Sequence, residues 1–103
     1  MRFIKPESLN TNSFILDVRT MEEHQRLALK AEHKHIALAD LKPIEFIKDN
    51  ALTGDCTVNI LCASGNRASQ AAEMFEQVGF DNVAVIIGGI VEAEYEGLEI
   101  VRH

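Results

Sequence analysis

The sequence predicts an α/β fold with a mainly parallel central sheet of about five strands and helices on both faces. Two observations lead to this prediction. Short apolar runs, typical of strands that are buried on both faces, recur along the chain. Segments with apolar residues at helical spacing separate these runs, and such alternation favours right-handed crossovers between parallel strands. The length of 103 residues suits one domain, so residues 1–103 are expected to fold as a single unit.

The predicted strands are the apolar runs themselves. Their residues are mostly aliphatic or β-branched, which suits the interior of a covered sheet. The paired glycines Gly88 and Gly89 end one of these runs. The predicted strands are residues 14–18, 35–38, 58–62 and 83–87, with an edge strand near residues 98–101.

Helix signals follow the strands. Thr20 and Glu23 have the spacing of a capping box, in which each side chain binds the backbone N–H of the other residue. The first helix would then present one face made of His24, Leu27, Ala28 and Ala31. Asp40 is a candidate N-cap for the second helix. The remaining predicted helices are residues 41–50, 68–78 and 90–95.

Composition and charge argue against several classes of protein. Hydrophobic residues make up 47% and charged residues 25% of the chain, which is ordinary globular composition and excludes intrinsic disorder. Ten Lys and Arg oppose sixteen Asp and Glu, for a net charge of −6 without a basic run. Nucleic acids and anionic membranes both require clustered positive charge, so neither is an expected partner.

The start of the chain lacks the features of an exported protein. Lys5, Pro6 and Glu7 interrupt the region where a signal peptide would be apolar. No apolar run reaches the roughly 18 residues of a membrane helix. A cytoplasmic, reducing location is therefore expected, in which Cys56 and Cys62 remain thiols.

The segment after the third predicted strand is the candidate reactive loop. Cys62 ends the strand, a small loop containing Gly65 follows, and a helix begins close to Arg67. Successive loop N–H groups beside a helix N-terminus would form a concave anion site, which favours a thiolate, the nucleophilic form of cysteine. Arg67 could offer a fork of donors to an oxyanion. The alternative is that Cys62 is an inert buried residue.

The loop carries a family resemblance. It comprises Cys62, Ala63, Ser64, Gly65, Asn66, Arg67 and Ala68, and it resembles the active-site loop of the rhodanese family of sulfurtransferases. Residues 16–23 are similar to the family's Asp-Val-Arg segment with its following acidic pair. Residues 70–75 and 78–83 look like its helix and Gly-Phe turn, and residues 88–90 look like its late Gly-Gly motif. Together these motifs span most of the chain, which makes the resemblance specific.

The resemblance implies a single rhodanese-like domain with thiosulfate sulfurtransferase-like activity. Cys62 would take the sulfane sulfur of a small donor such as thiosulfate and hold it as a persulfide, cradled by residues 63–68. A thiophilic acceptor, such as cyanide, a small thiol or a protein cysteine, would then remove the sulfur. The resemblance implies no metal and no organic cofactor.

Two other functions are weighed against this one. A non-catalytic or sulfur-carrier rhodanese-like module would act through protein binding. Because Cys62 is present, an inactive domain is disfavoured. Two departures from the family nevertheless support this alternative. Ala63 stands where the family often has Arg, and residues 29–36 lack the family's Gly-containing turn. A thiol phosphatase is disfavoured, because four residues separate Cys62 from Arg67 and the related phosphatases have five.

Three further features admit two readings each. Asp17 and Arg19 could line the pocket or form a structural ion pair, and we favour the ion pair. His33 and His35 could suggest a metal site, but without a third ligand we interpret them as solvated, so no metal site is predicted. Cys56 could form a disulfide with Cys62, but we expect it at the far end of the same strand, roughly 20 Å away.

Overall fold

The computed structural model describes residues 1–64 and 66–103. Within those residues the secondary structure alternates between short strands and helices. The strands are β1 (Arg2–Ile4), β2 (Phe14–Asp17), β3 (Leu27–Leu29), β4 (Lys34–His35), β5 (Val58–Leu61), β6 (Val83–Ile86) and β7 (Ile100–Arg102). The α-helices are α1 (Met21–Arg26), α2 (Pro43–Asp49), α3 (Asn66–Gln77) and α4 (Gly89–Tyr95), with 3₁₀ turns at Pro6–Ser8 and Leu38–Asp40.

The central sheet has five strands in the order β1-β6-β5-β2-β4, and every pair in it is parallel. Strand β5 lies in the middle, and all four of its residues are buried. Ile60 of β5 lies opposite Leu16 of β2 on one side and Val85 of β6 on the other. Because all strands run the same way, the segments that follow β2 and β5 meet at one edge of the sheet.

Helices cover both faces of this sheet, as predicted. On one face, Phe46 of α2 and Phe75 of α3 pack edge to face with ring centroids 5.8 Å apart over Leu16 and Ile60. On the other face, Ile90 and Ala93 of α4 belong to a second buried cluster. That second cluster also contains Ile15, Leu29, Leu61 and Ile86.

The first predicted helix is shorter than expected. The capping box of Thr20 and Glu23 forms as predicted, but the helix ends at Arg26. Leu27 and Ala28, predicted on its apolar face, instead belong to β3, which pairs antiparallel with β7 in a separate two-stranded sheet. Pairing with residues so distant in sequence leaves no local periodic signal, and this is why the helix prediction was wrong there.

Other predicted boundaries also shift. Strand β1 was not predicted, whereas the predicted edge strand near residues 98–101 forms as β7 outside the central sheet. The second predicted strand, residues 35–38, overlaps β4 only at His35. Asp40 lies within a 3₁₀ turn and does not cap α2, which begins at Pro43 because proline suits the first turn of a helix.

Among the described residues, none of the helices is both long enough and apolar enough to span a bilayer. The longest of them, α3, has 12 residues.

Candidate active site

Cys62 lies directly after β5, at the carboxyl edge of the sheet, and is 1% exposed. Its carbonyl oxygen accepts a hydrogen bond of 2.9 Å from the N–H of Ile90 in α4. Gly89 packs so closely against the Cys62 backbone that a Cβ on residue 89 would lie 2.3 Å from the Cys62 carbonyl oxygen. Gly89 also has a φ of +61°. Only glycine fits this contact, so the late Gly-Gly motif supports the backbone of the candidate loop.

The loop leads from Cys62 into α3. Ala63 is half-buried, Ser64 and Asn66 are exposed, and Ala68 is fully buried beneath the helix. The prediction for Gly65 lies outside the described residues. Helix α3 begins at Asn66, so its first turn lies next to the loop, as predicted.

Arg67 forms a two-pronged ion pair with Glu23 of α1. Its Nη1 lies 2.5 Å from Oε1 and its Nη2 lies 2.9 Å from Oε2 of Glu23. These hydrogen bonds raise the pKa of Arg67 and lower the pKa of Glu23 from 4.5 to about 2. We expected the Arg67 guanidinium to bind an oxyanion, but in the structure it binds the carboxylate of Glu23.

The sequence pattern indicated Glu23 only as a capping residue. In the structure, Oε1 of Glu23 accepts both the Thr20 N–H, at 2.9 Å, and Nη1 of Arg67. The capping box therefore holds the carboxylate in the position from which it binds Arg67. The only signal for this role in the sequence is the capping spacing itself, which does not reveal a second partner.

Asp17 and Arg19 form a buried clamp beside this pair, with side chains 0% and 2% exposed. Nη2 of Arg19 donates to Oδ2 of Asp17 at 2.8 Å and to the carbonyl oxygen of Leu27 at 2.9 Å. Nη1 reaches the carbonyl oxygen of Glu23 at 3.3 Å. These contacts tie the end of β2 to the first turn and the C-cap of α1, which is the geometry of structural support.

His33 and His35 lie in a histidine cluster and are not simply solvated. His24 stacks on His35 with ring centroids 4.1 Å apart, and His24 Nε2 lies 2.8 Å from His33 Nε2. His35 Nε2 donates to the Arg19 carbonyl oxygen at 2.8 Å. Burial lowers the pKa of His24, and the neighbouring His35 adds to that shift. The sequence did not indicate that His24 joins these two histidines, because its spacing placed His24 on an apolar helix face.

Cys56 precedes β5, whereas Cys62 follows it, so the two thiols lie at opposite ends of one strand. Cys56 lines a cavity of about 620 Å³ near the amino ends of the strands, together with Asn59 and Phe14. This cavity is remote from the candidate loop. The placement argues against a disulfide between Cys56 and Cys62.

In the structure, the loop that begins at Cys62 joins a strand of the parallel sheet to a helix, as expected for a rhodanese-like domain. The model of the rhodanese-like domain family matches residues 5–95. The chain belongs to the rhodanese-like domain family, within the sulfurtransferase superfamily.

Individual relatives agree with this assignment. The chain is 32% identical over 84 residues to YrkF of Bacillus subtilis (strain 168), a candidate sulfur carrier protein. That match covers 82% of this chain and 40% of YrkF, so the chain spans two fifths of this curated relative.

Solved structures show the same fold. A rhodanese-related protein from Thermoplasma volcanium has a TM-score of 0.78 at 29% identity, with 98% of each chain covered. A NAD-dependent persulfide reductase from A. fulgidus has a TM-score of 0.69 at 26% identity, with 88% of this chain and 16% of that chain covered.

Proposed function

We propose that the protein transfers sulfane sulfur from a small donor such as thiosulfate to a thiophilic acceptor through a persulfide on Cys62. The observation that carries the proposal is the position of Cys62, between the end of β5 and the start of α3, in a member of the rhodanese-like family. A thiol in this position lies close to a helix N-terminus, whose N–H groups stabilise negative charge on sulfur.

The first half-reaction forms the persulfide. The Cys62 thiolate attacks the outer sulfur of thiosulfate, a new S–S bond forms, and the old S–S bond breaks. Sulfite leaves with the electron pair of the broken bond. The sulfur remains on Cys62 as a persulfide anion, and N–H groups of the loop and α3 stabilise its charge as donors do in an oxyanion hole.

The second half-reaction returns the thiolate. A nucleophilic acceptor attacks the outer sulfur of the persulfide, forms a bond to it and displaces the Cys62 thiolate. Cyanide gives thiocyanate in this step, while a small thiol or a protein cysteine gives a persulfide. The two steps form a ping-pong cycle that requires no organic cofactor or metal. Because Cys62 must start as a thiol, a reducing compartment such as the cytoplasm suits the reaction.

Arg67 supports this cycle as a positioning residue. Its guanidinium is held by Glu23, so this ion pair joins α1 to the start of α3. The pair restrains the start of α3, and the charge of Arg67 interacts with Cys62. We therefore assign Cys62 as nucleophile, residues 63–68 as the cradle, and Asp17 with Arg19 as structural support.

A sulfur-carrier role is the second candidate, and the similarity to YrkF favours it. Ala63 places no positive charge at the loop, which weakens attraction for a thiosulfate dianion. A carrier would hold the persulfide and release it only to a bound partner protein. Both functions use the Cys62 persulfide and differ in the acceptor.

Intact-mass measurement tests the shared intermediate. We would incubate the reduced protein with thiosulfate and expect a gain of one sulfur atom, reversed by cyanide. Cys56→Ser should gain the sulfur and Cys62→Ser should not. A folded wild-type protein that takes no sulfur from any donor, or a sulfur on Cys56, would overturn the proposal. Rapid turnover with cyanide or small thiols favours the transferase, whereas a stable persulfide that only a partner protein discharges favours the carrier.

A further inference from the structure

A histidine cluster lies beside the Asp17–Arg19 ion pair and plays no part in the proposed sulfur transfer. It consists of His24 at the middle of α1, His33 before β4 and His35 at the end of β4. Oxygen and nitrogen ligand atoms of Asp17, His24 and His33 all lie within 4.8 Å of one another. All three histidines are half-buried, so the cluster is held in place but remains open to solvent.

The hydrogen bonds of His33 orient it as a metal ligand. Its Nδ1 lies 2.7 Å from the carbonyl oxygen of Ala31, and since a carbonyl only accepts, Nδ1 carries the proton. In a neutral imidazole this leaves a lone pair on Nε2, which points at His24. Metal-binding histidines characteristically use one ring N–H on a backbone carbonyl in this way, because the bond fixes tautomer and ring orientation.

We propose that His24 and His33 bind a borderline divalent metal ion, such as Zn²⁺, between their Nε2 atoms. The two atoms are 2.8 Å apart and share one hydrogen bond when both rings are neutral. Zn–N bonds of 2.0–2.1 Å at a tetrahedral angle require a separation of about 3.3 Å, so the rings must part by about half an ångström and turn until both lone pairs point at the ion. On binding, His24 loses its Nε2 proton to solvent and takes one up on Nδ1, which leaves both rings neutral.

The surroundings define the rest of this site. His35 does not supply Nε2, because that nitrogen donates to the Arg19 carbonyl oxygen, but its ring packs against His24 and restrains it. The Asp17 carboxylate offsets the charge of the nearby Arg19 guanidinium. Water or another small ligand completes the coordination on the solvent side. Imidazole donors with open positions suit Zn²⁺, Cu²⁺ or Ni²⁺ and disfavour Mg²⁺ and Ca²⁺.

Calorimetric titration of the tag-free, reduced protein with Zn²⁺ tests this proposal. We expect saturable binding of one ion, weakened at least about tenfold in His24→Asn and in His33→Asn. His103→Asn is the matched control, because the fourth histidine of the chain lies outside the cluster, and it should bind as the wild type does. The double variant Cys56→Ser, Cys62→Ser should also retain binding, whichever function Cys62 has.

Nuclear magnetic resonance of the wild-type imidazole nitrogens gives a second readout that does not depend on folding of a variant. Zn²⁺ should shift the Nε2 signals of His24 and His33 and leave those of His103 unchanged. Binding that survives in both histidine variants, or that disappears in the cysteine double variant, would overturn the assignment. So would the absence of any Zn²⁺-dependent shift at His24 and His33.

Discussion

Glu23 and Arg67 face each other across the candidate site and form two parallel hydrogen bonds of 2.5 and 2.9 Å. The pair links the first turn of α1 to the first turn of α3, which the sequence separates by 44 positions. The same carboxylate caps α1 through Thr20. One side chain thus connects the helix that follows β2 with the helix that follows the candidate nucleophile.

Replacing Glu23 by Gln should impair sulfur transfer more than it impairs folding. The pair is about one third exposed, so its loss should cost only about 1 kcal/mol of unfolding free energy. The Arg67 side chain would lose its anchor, and we expect persulfide formation on Cys62 to slow about tenfold or more. Glu22→Gln, an exposed change one position earlier, is the matched control. Equal rates of persulfide formation in Glu23→Gln and wild type would contradict the positioning role of Arg67.

The same pair should make stability depend on acid pH. The pKa of Glu23 falls from 4.5 to about 2 on folding, so the folded state favours the carboxylate. Its contribution is complete above pH 4.5 and is lost as the pH falls toward 2. Urea unfolding across this window should show wild type losing its advantage over Glu23→Gln. A stability difference that stays constant down to pH 2 would show that the ion pair contributes nothing in solution.

Asp17→Asn should destabilise the fold strongly. It leaves the buried Arg19 guanidinium, which is 2% exposed, without its negative partner. Breaking a buried ion pair in this way costs about 3 to 5 kcal/mol, which urea unfolding would measure. Asp55→Asn, at an exposed position, should change stability by less than about 0.5 kcal/mol. A loss of less than about 1 kcal/mol of unfolding free energy in Asp17→Asn would mean that the ion pair of Asp17 with Arg19 does not support the fold.

Gly89→Ala should be more damaging than Gly97→Ala, although both glycines have positive φ angles, of +61° and +93°. At Gly97 a Cβ meets nothing within 4 Å, so only backbone strain of about 1 to 2 kcal/mol applies. At Gly89 the Cβ also strikes the backbone of Cys62 and Ala63. We expect an extra cost of at least about 1 kcal/mol and slower persulfide formation. Equal thermal stability of the two variants would contradict this contact.

Local patterns in the sequence predicted the centre of the fold well. The apolar runs that become β2, β5 and β6 are buried on both faces and left little ambiguity. The stripe of Ala68, Ala71, Ala72 and Phe75 likewise marked α3, because its period matches a helix that covers the sheet. The order of motifs around Cys62 then led to the family.

What the sequence did not reveal depends on contacts between distant residues. Leu27 and Ala28 continue a helical period, yet pairing with β7 draws them into a strand. Arg2–Ile4 gains its strand only by pairing with β6. The partnership of Glu23 with Arg67 and the meeting of His24 with His33 also join separate segments. Local propensity carries no information about such partners.

The small sheet of β3 and β7 has a consequence for the order of folding during synthesis. Its pairing joins Ala28 to Val101, so β3 has no partner until residue 101 has left the ribosome. Contacts that close such a long loop form slowly. All strands of the central sheet have been synthesised once Ile86 has been added, whereas β3, which follows α1, still lacks its partner strand. A nascent chain would thus possess all strands of the central sheet before the segment that carries Glu23 and His24 is anchored at both ends.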